Sequence, residues 1–188
     1  MKNMKLMFSI LVIGLMTGCG LFNHQEHTMK MASPSVEAIS KASAVIVSAS
    51  GSSVKGLITF TQVEGGVKVV ADIEGLEPNT KHGFHIHQFG DLSSADGTAM
   101  GGHFNPAGME HSSPTNQIRH VGDMGNIDAD GNGKAHLDYV DSQIMFSGPA
   151  SIIGRGVVVH AKEDDLKTQP TGNAGARIGQ GVIGVVKP

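Results

Sequence analysis

The sequence predicts an all-β fold, with eight short strands in an antiparallel sandwich or barrel joined by long irregular loops. Three observations lead there. From Ser43 onward the apolar residues alternate with period two or gather in short β-branched runs. No ten-residue stretch carries a convincing helical period. Glycine numbers 26 in 188 residues, scattered between Val/Ile runs as tight turns between short strands require.

The strands follow in order. "ASAVIVSAS", "VKGLITFTQV" and "VKVVADIEGL" are the first three, and the "EGG" at 64–66 makes a hairpin turn between the second and third. "KHGFHIHQF" is the fourth. After a long Gly-, Ser- and Pro-rich stretch come "MGNID", "GKAHLDYV", "GRGVVVHAK" and "GVIGVVKP". "NIDADGNGKAHL" has the early offsets of a calcium loop, but its twelfth position is Leu137 where a bidentate Glu is needed. The Asp130–Gly133 segment reads instead as hairpin-turn chemistry.

Length and composition fit one globular domain. The net charge of −3 and the lack of a basic cluster give no case for nucleic acid. The N-terminal 18 residues read as a signal peptide, with Lys2 and Lys5 before an apolar run too short to span a bilayer. "LMTGC" resembles a bacterial lipoprotein box, which makes Cys19, the single cysteine, the lipidated first residue of the mature chain. Acyl chains there, palmitate among them, would hold the protein on a membrane outside the cytoplasm, on the periplasmic side or the outer cell surface. Residues 19–41 read as a lipidated, flexible tether and 42–188 as the folded domain. The tether carries His24, His27, Met29 and Met31. It reads first as a spacer, and second as a copper-gathering tail.

Histidine is the outlier, at ten residues. In a strand, His85 and His87 share one face, while Phe84 and Ile86 point the other way toward the core. Two imidazoles on one face can grip one metal ion. His160 ends another strand, and the long loop supplies His103, His111, His120 and Asp123. Loops of this length without internal structure are uncommon unless they serve a function, and a metal would close this one. Three histidines and an aspartate suit tetrahedral zinc. An all-imidazole set suits copper.

"GFHIHQFGD", "GGHFNP", "RHVGDMGN", "IIGRGVVVHAKEDDL" and "TGNAGARI…GVIGVV" together resemble the Cu/Zn superoxide dismutase family, in order and spacing, over roughly Ala42 to Val186. The resemblance implies an eight-stranded Greek-key fold with long metal-site loops. It implies copper on His85, His87, His103 and His160, and zinc on His103, His111, His120 and Asp123, with His103 bridging. It implies that Asp164 hydrogen-bonds a ligand of each metal, and that Arg177 attracts and orients the anion beside the copper. The activity implied converts superoxide to oxygen and hydrogen peroxide by copper redox cycling with a structural zinc, with His103 and Arg177 as the catalytic groups. In the cell envelope this would be protective. Lys162 and Lys167 would help draw the anion in. His82 matches a structural position, and His136 reads as surface. A homodimer is compatible with the sequence, which assigns no interface.

Two other classes compete: a copper or zinc carrier on the same fold, and a structural sandwich with a degenerate site. The intact ligand set and Arg177 favour the enzyme. The family's usual disulfide is missing, because Leu92 and Gln180 stand at the positions that the resemblance assigns to its cysteines. Such a crosslink typically contributes ~2–4 kcal/mol. Metal-free protein is therefore expected to melt low and zinc to restore much of the loss, and equal melting temperatures for the two forms would contradict this.

Overall fold

The computed structural model describes residues 38–187. The leader, Cys19 and the tether residues His24, His27, Met29 and Met31 lie outside the described residues. The strands are β1 Lys41–Ser48, β2 Lys55–Val63, β3 Gly66–Glu74, β4 Lys81–His87, β5 Asp123–Asp128, β6 Lys134–Asp141, β7 Gly156–His160, β8 Arg177–Val182 and β9 Gly184–Val185. All ladders are antiparallel, in the order β5-β4-β7-β8-β1-β2-β3-β6, with β9 on β1. The pairing of β3 with β6 and of β4 with β7 gives the Greek-key connectivity. The two end strands, β5 and β6, are joined directly by a tight turn, so the sheet nearly closes into a barrel.

Alternation explains most of the core. On β1, Ala42, Ala44 and Ile46 are buried while Val45 and Val47 face out. The facing strands add Ile58, Phe60, Val69, Ile73, Phe84, Ile86, Ile127, Val157 and Val159 to one apolar cluster. Burying each such side chain stabilises by roughly 1.5–3 kcal/mol before the entropy of ordering is subtracted.

Two expectations need correction. The turn at Asp130–Gly133 has the expected chemistry: Asp130 Oδ1 accepts from Asn132 N at 2.8 Å and Lys134 N at 2.9 Å. It does not join a paired hairpin, however, because β5 pairs with β4 and β6 with β3. The last predicted strand is two pieces, β8 and β9. β8 starts at Arg177 and pairs with β7 before the chain passes on to a second stretch of β1. A 3₁₀ turn at Thr98–Met100 also escapes the sequence reading.

β4 departs from simple alternation, since His82 through His87 are buried on both faces. The reason is the loop from Gln88 to Gly122, which folds back over the outer face and is sewn to the strand by backbone hydrogen bonds. Phe104 N donates to Ile86 O at 2.8 Å, Ile86 N to Gly122 O at 2.9 Å and Gln88 N to Gly102 O at 2.9 Å. Gly122 permits the approach: a Cβ there would lie 2.2 Å from Ile86 O.

Arg119 fixes the end of this loop from below. The residue is 3% exposed. Nη2 donates to both carboxylate oxygens of Asp141 at 2.7 Å, and Nη1 to the carbonyls of His120, Val121 and Asp123 at 2.9–3.2 Å. Arg119→Met would leave the Asp141 carboxylate buried and unpaired. The expected loss is about 3–5 kcal/mol in urea unfolding of the metal-free chain. Arg119→Lys should fall between, keeping the charge without the fork. A loss below ~1 kcal/mol for Arg119→Met would show that the pair does not hold the loop.

Candidate metal centre

Two groups of buried ligand atoms converge here. His85, His87, His103 and His160 each offer an atom within 4.8 Å of the others, and so do His103, His111, His120 and Asp123. These are the seven residues singled out from sequence, and His103 belongs to both groups. The fold brings them together simply. His85 and His87 share the outer face of β4, and Asp123 starts β5 directly opposite His85. His160 ends β7, beside β4. His103 bridges to His87 where the loop folds back, and His111 and His120 follow along that loop.

Hydrogen bonds fix which nitrogen of each ring faces inward. His87 Nδ1 donates to Gly101 O at 2.9 Å and His160 Nδ1 to Gly175 O at 3.1 Å, so their Nε2 atoms face each other, 3.3 Å apart. His85 Nε2 is held by Asp164 Oδ2 at 2.8 Å. His85 Nδ1 and His103 Nε2 are buried without a hydrogen-bond partner among the described residues. The His85 and His103 ring centroids are 3.9 Å apart. Four imidazole lone pairs are thus available at one place.

The second group crowds one oxygen. His103 Nδ1 and His111 Nδ1 lie 2.9 Å from Asp123 Oδ1, and His120 Nδ1 lies 3.2 Å from it. His120 Nδ1 makes no hydrogen bond there. The other oxygen, Oδ2, accepts from the backbone N–H of Ser112 and of His120 at 3.0 Å. Asp164 joins the two groups, with Oδ2 on His85 and Oδ1 on His111 Nε2 at 2.9 Å.

The electrostatics divide the histidines. Burial lowers the pKa of His85, His87, His103 and His160, His103 to about 4 and His160 to about 3. These rings are neutral at pH 7 and present lone pairs, the form that ligates. Burial also opposes charge on His111, but the Asp123 and Asp164 carboxylates at its two ends prevail and raise its pKa to about 9. A neutral imidazole cannot donate at both ends, so His111 needs either a second proton or a cation at Nδ1. Asp123 and Asp164 resist ionisation through burial, yet hydrogen bonds from the histidines hold both below the usual carboxylate range.

Arg177 Nη1 donates to Gly97 O and Nη2 to Gly101 O at 2.5 Å. Gly101 O is also the acceptor for His87. His82 is not in either group; its Nδ1 donates to His160 O at 2.8 Å, bracing the strand end that carries a ligand. His136 is exposed and paired with Asp72 on the far side of the sheet. Lys162 and Lys167 are exposed. Gln180 is buried and donates to Ser94 O at 3.3 Å, while Leu92 is exposed.

Sequence reasoning missed three supports: Arg119, Asn126 and Gln169. The Asn126 carboxamide accepts from Asp164 N at 2.7 Å and donates to Asp164 O at 2.9 Å. Gln169 treats His111 in the same way. Arg119 and Gln169 lie in loops, which carry no periodicity, and Asn126 is a half-buried polar residue on β5; nothing in the sequence separates these from their neighbours.

Comparison with known proteins agrees with this geometry. A family model for copper/zinc superoxide dismutase matches residues 54–183. A Cu-Zn superoxide dismutase of Paramecium bursaria Chlorella virus 1 is 52% identical over 141 residues, covering 71% of this chain and 74% of the relative. One from Schizosaccharomyces pombe is 47% identical over 150 residues, covering 76% and 97%. An extracellular Cu-Zn superoxide dismutase of Drosophila melanogaster is 46% identical over 147 residues, covering 74% and 80%. The crystal structure of the clock protein EA4 superposes with a TM-score of 0.73 at 45% identity, covering 80% of this chain and 97% of that one. With matches spanning the strands, the long loop and Arg177 alike, the chain belongs to the Cu/Zn superoxide dismutase family.

Proposed function

We propose that the paired cavity is the seat of superoxide dismutation, with copper held by His85, His87, His103 and His160 and zinc by His103, His111, His120 and Asp123. One observation carries this assignment: His103 turns Nδ1 to Asp123 and leaves Nε2 buried and unpaired on the other side. The donor sets fit the metals, three nitrogens and a carboxylate oxygen for zinc and neutral imidazoles for copper. The chemistry supplied by bound copper is one-electron exchange with superoxide, and that of bound zinc is a fixed charge without redox.

The chain's own groups do the rest. Arg177 attracts the anion and, pinned by two carbonyls, holds it in one orientation. His103 Nε2 is the atom that takes up and delivers a proton, because Nδ1 is engaged at Asp123. Asp164 fixes the ring orientation of His85 and His111, and Asn126 fixes Asp164. Lys162 and Lys167 add positive potential along the approach.

The cellular reading rests on the leader and Cys19. They support a lipid-anchored enzyme on the extracytoplasmic side, protecting the envelope, and the extracellular Drosophila relative is in keeping with that. Exposed Val45 and Val47 on β1, with Val185 on the adjoining β9, support a homodimer.

The deciding measurement is superoxide decay by pulse radiolysis on residues 20–188 loaded with copper and zinc. A salt-sensitive rate of ~10⁸–10⁹ M⁻¹ s⁻¹ is expected, the diffusional range for which superoxide dismutases are a known example. A rate no better than buffer, with both metals bound, would make the protein a metal carrier. Arg177→Ile should lower the rate about tenfold or more and flatten its salt dependence; an unchanged rate would remove Arg177 from the catalytic groups.

The metal-free chain should show a distinctive pH profile. An unfolded imidazole titrates near 6.5. As pH falls from 6.5 toward 4, the unfolded chain takes up protons that buried His87, His103 and His160 refuse, so stability drops. His111 has the opposite sign: its stabilisation is complete below 6.5 and is lost as pH rises through about 9. Urea unfolding is expected to give maximum stability near pH 6.5, with the steeper fall on the acid side. A profile flat from pH 4 to 9 would contradict the burial of neutral rings.

A further inference from the structure

The loop between β7 and β8 carries Asp164 and leads to Arg177, and it also reaches the zinc-side ligands through Gln169. Gln169 Oε1 accepts from His111 N at 2.8 Å, and Nε2 donates to His111 O at 2.8 Å. One carboxamide thus occupies both backbone polar groups of a ligand residue that lies in no strand. Gln169 is itself presented by a braced turn. Asp165 Oδ1 accepts from Lys167 N at 3.0 Å and Thr168 N at 2.8 Å, and Asp165 Oδ2 from Thr168 Oγ1 at 2.6 Å and Asn173 Nδ2 at 3.1 Å. Gly172 N closes onto Thr168 O at 2.7 Å.

The backbone of this loop lies directly on the same ring. A Cβ on Gly172 would fall 1.7 Å from Asp164 Oδ1 and 2.7 Å from His111 Nε2. Only glycine allows that approach, and its φ of 65° lies in the region glycine favours. His111 is therefore fixed three ways: backbone by Gln169, Nδ1 at Asp123 and Nε2 at Asp164.

We infer that Gln169 is a positioning residue for the zinc site: by clamping the His111 backbone it sets zinc affinity and geometry, and it couples zinc occupancy to the loop that leads to Arg177. The inference rests on the assignment of zinc to His103, His111, His120 and Asp123. Partners that orient metal ligands commonly change affinity 10–100-fold. Gln169 is exposed on its outer side, where water can replace part of the clamp, so the low end of that range applies.

The test uses the full metal-free chain, titrated with zinc against a chelator and separately with Co(II), whose visible spectrum reports coordination. Gln169→Met keeps the length and removes both hydrogen bonds to His111, together with the 3.3 Å bond to Lys167 O. It should weaken zinc about tenfold and alter the Co(II) spectrum, with the metal-free melting temperature within about 2 °C of the unaltered chain. Gln169→Glu keeps the acceptor but sets a second acceptor against the His111 carbonyl, and should weaken zinc at least as much. Gln143→Met is the control. Gln143 ties the loop that carries His111 elsewhere, through the carbonyls of Asn116 and Gln117 at 3.3 and 3.1 Å. It should leave affinity and spectrum unchanged. Unaltered zinc affinity and Co(II) spectrum in both Gln169 variants would overturn the inference. So would an equal loss in Gln143→Met, or a metal-free melting temperature that falls in step with affinity, since either outcome means general loop order. If the unaltered chain itself gave no tetrahedral Co(II) spectrum, the ligand assignment would fall, and the role of Gln169 with it.

Discussion

The constraint on which the molecule depends is the second buried face of β4. A strand buried on one side is ordinary. β4 carries Phe84 and Ile86 into the core and His85 and His87 away from it, and both pairs are buried. Burying imidazoles costs free energy unless their polar atoms are engaged. The loop from Gln88 to Gly122 engages His87 Nδ1 through the Gly101 carbonyl and brings His103, His111 and His120 alongside. The unsatisfied remainder of this cluster among the described residues, His85 Nδ1, His103 Nε2 and His120 Nδ1, are the atoms that a cation would satisfy. Metal binding there would be coupled to the order of the loop, since a cation would complete a buried polar cluster.

Two carboxylates organise that cluster. Asp123 collects three imidazoles on one oxygen, and Asp164 links His85 of the first group to His111 of the second. Neither carboxylate is positioned by its own local chain segment alone. Arg119 holds the turn ahead of Asp123 against Asp141, and Asn126 grips the backbone of Asp164. The supports lie outside the ring of ligands and are themselves buried or doubly bonded, so the rings have little freedom to reorient.

The convergence of these residues was legible in the sequence because it rests on two strong signals. Period-two alternation puts His85 and His87 on one face, and the flanking motifs resemble a known family. The strands were legible for the same reason, as alternation and glycine-marked turns report backbone geometry directly. What escaped depends on the meeting of distant segments. Gln169 and His111 are 58 residues apart, and no local pattern marks a carboxamide that will bond to a backbone there. The turn at Asp130–Gly133 misled for a related reason. Local chemistry specifies a tight turn, but barrel closure decides that β5 and β6 part to different neighbours. The division of the last strand into β8 and β9 likewise reflects its shared edge with β7 and β1.

The position of the missing crosslink shows how a covalent constraint can be replaced. Gln180 is buried on β8 and reaches Ser94 O, and Gly97 lies against it. Arg177, three residues earlier on the same strand, bonds to Gly97 O and Gly101 O. Three hydrogen bonds from one strand thus span the loop segment from Ser94 to Gly101, and two come from a guanidinium, whose charge-assisted bonds are the stronger kind. The Gly101 carbonyl then accepts from His87 as well. Arg177 and His87 of the candidate site thus share one acceptor. Any displacement of the loop must move both together, so the site keeps its internal alignment even where the loop lacks a covalent tie.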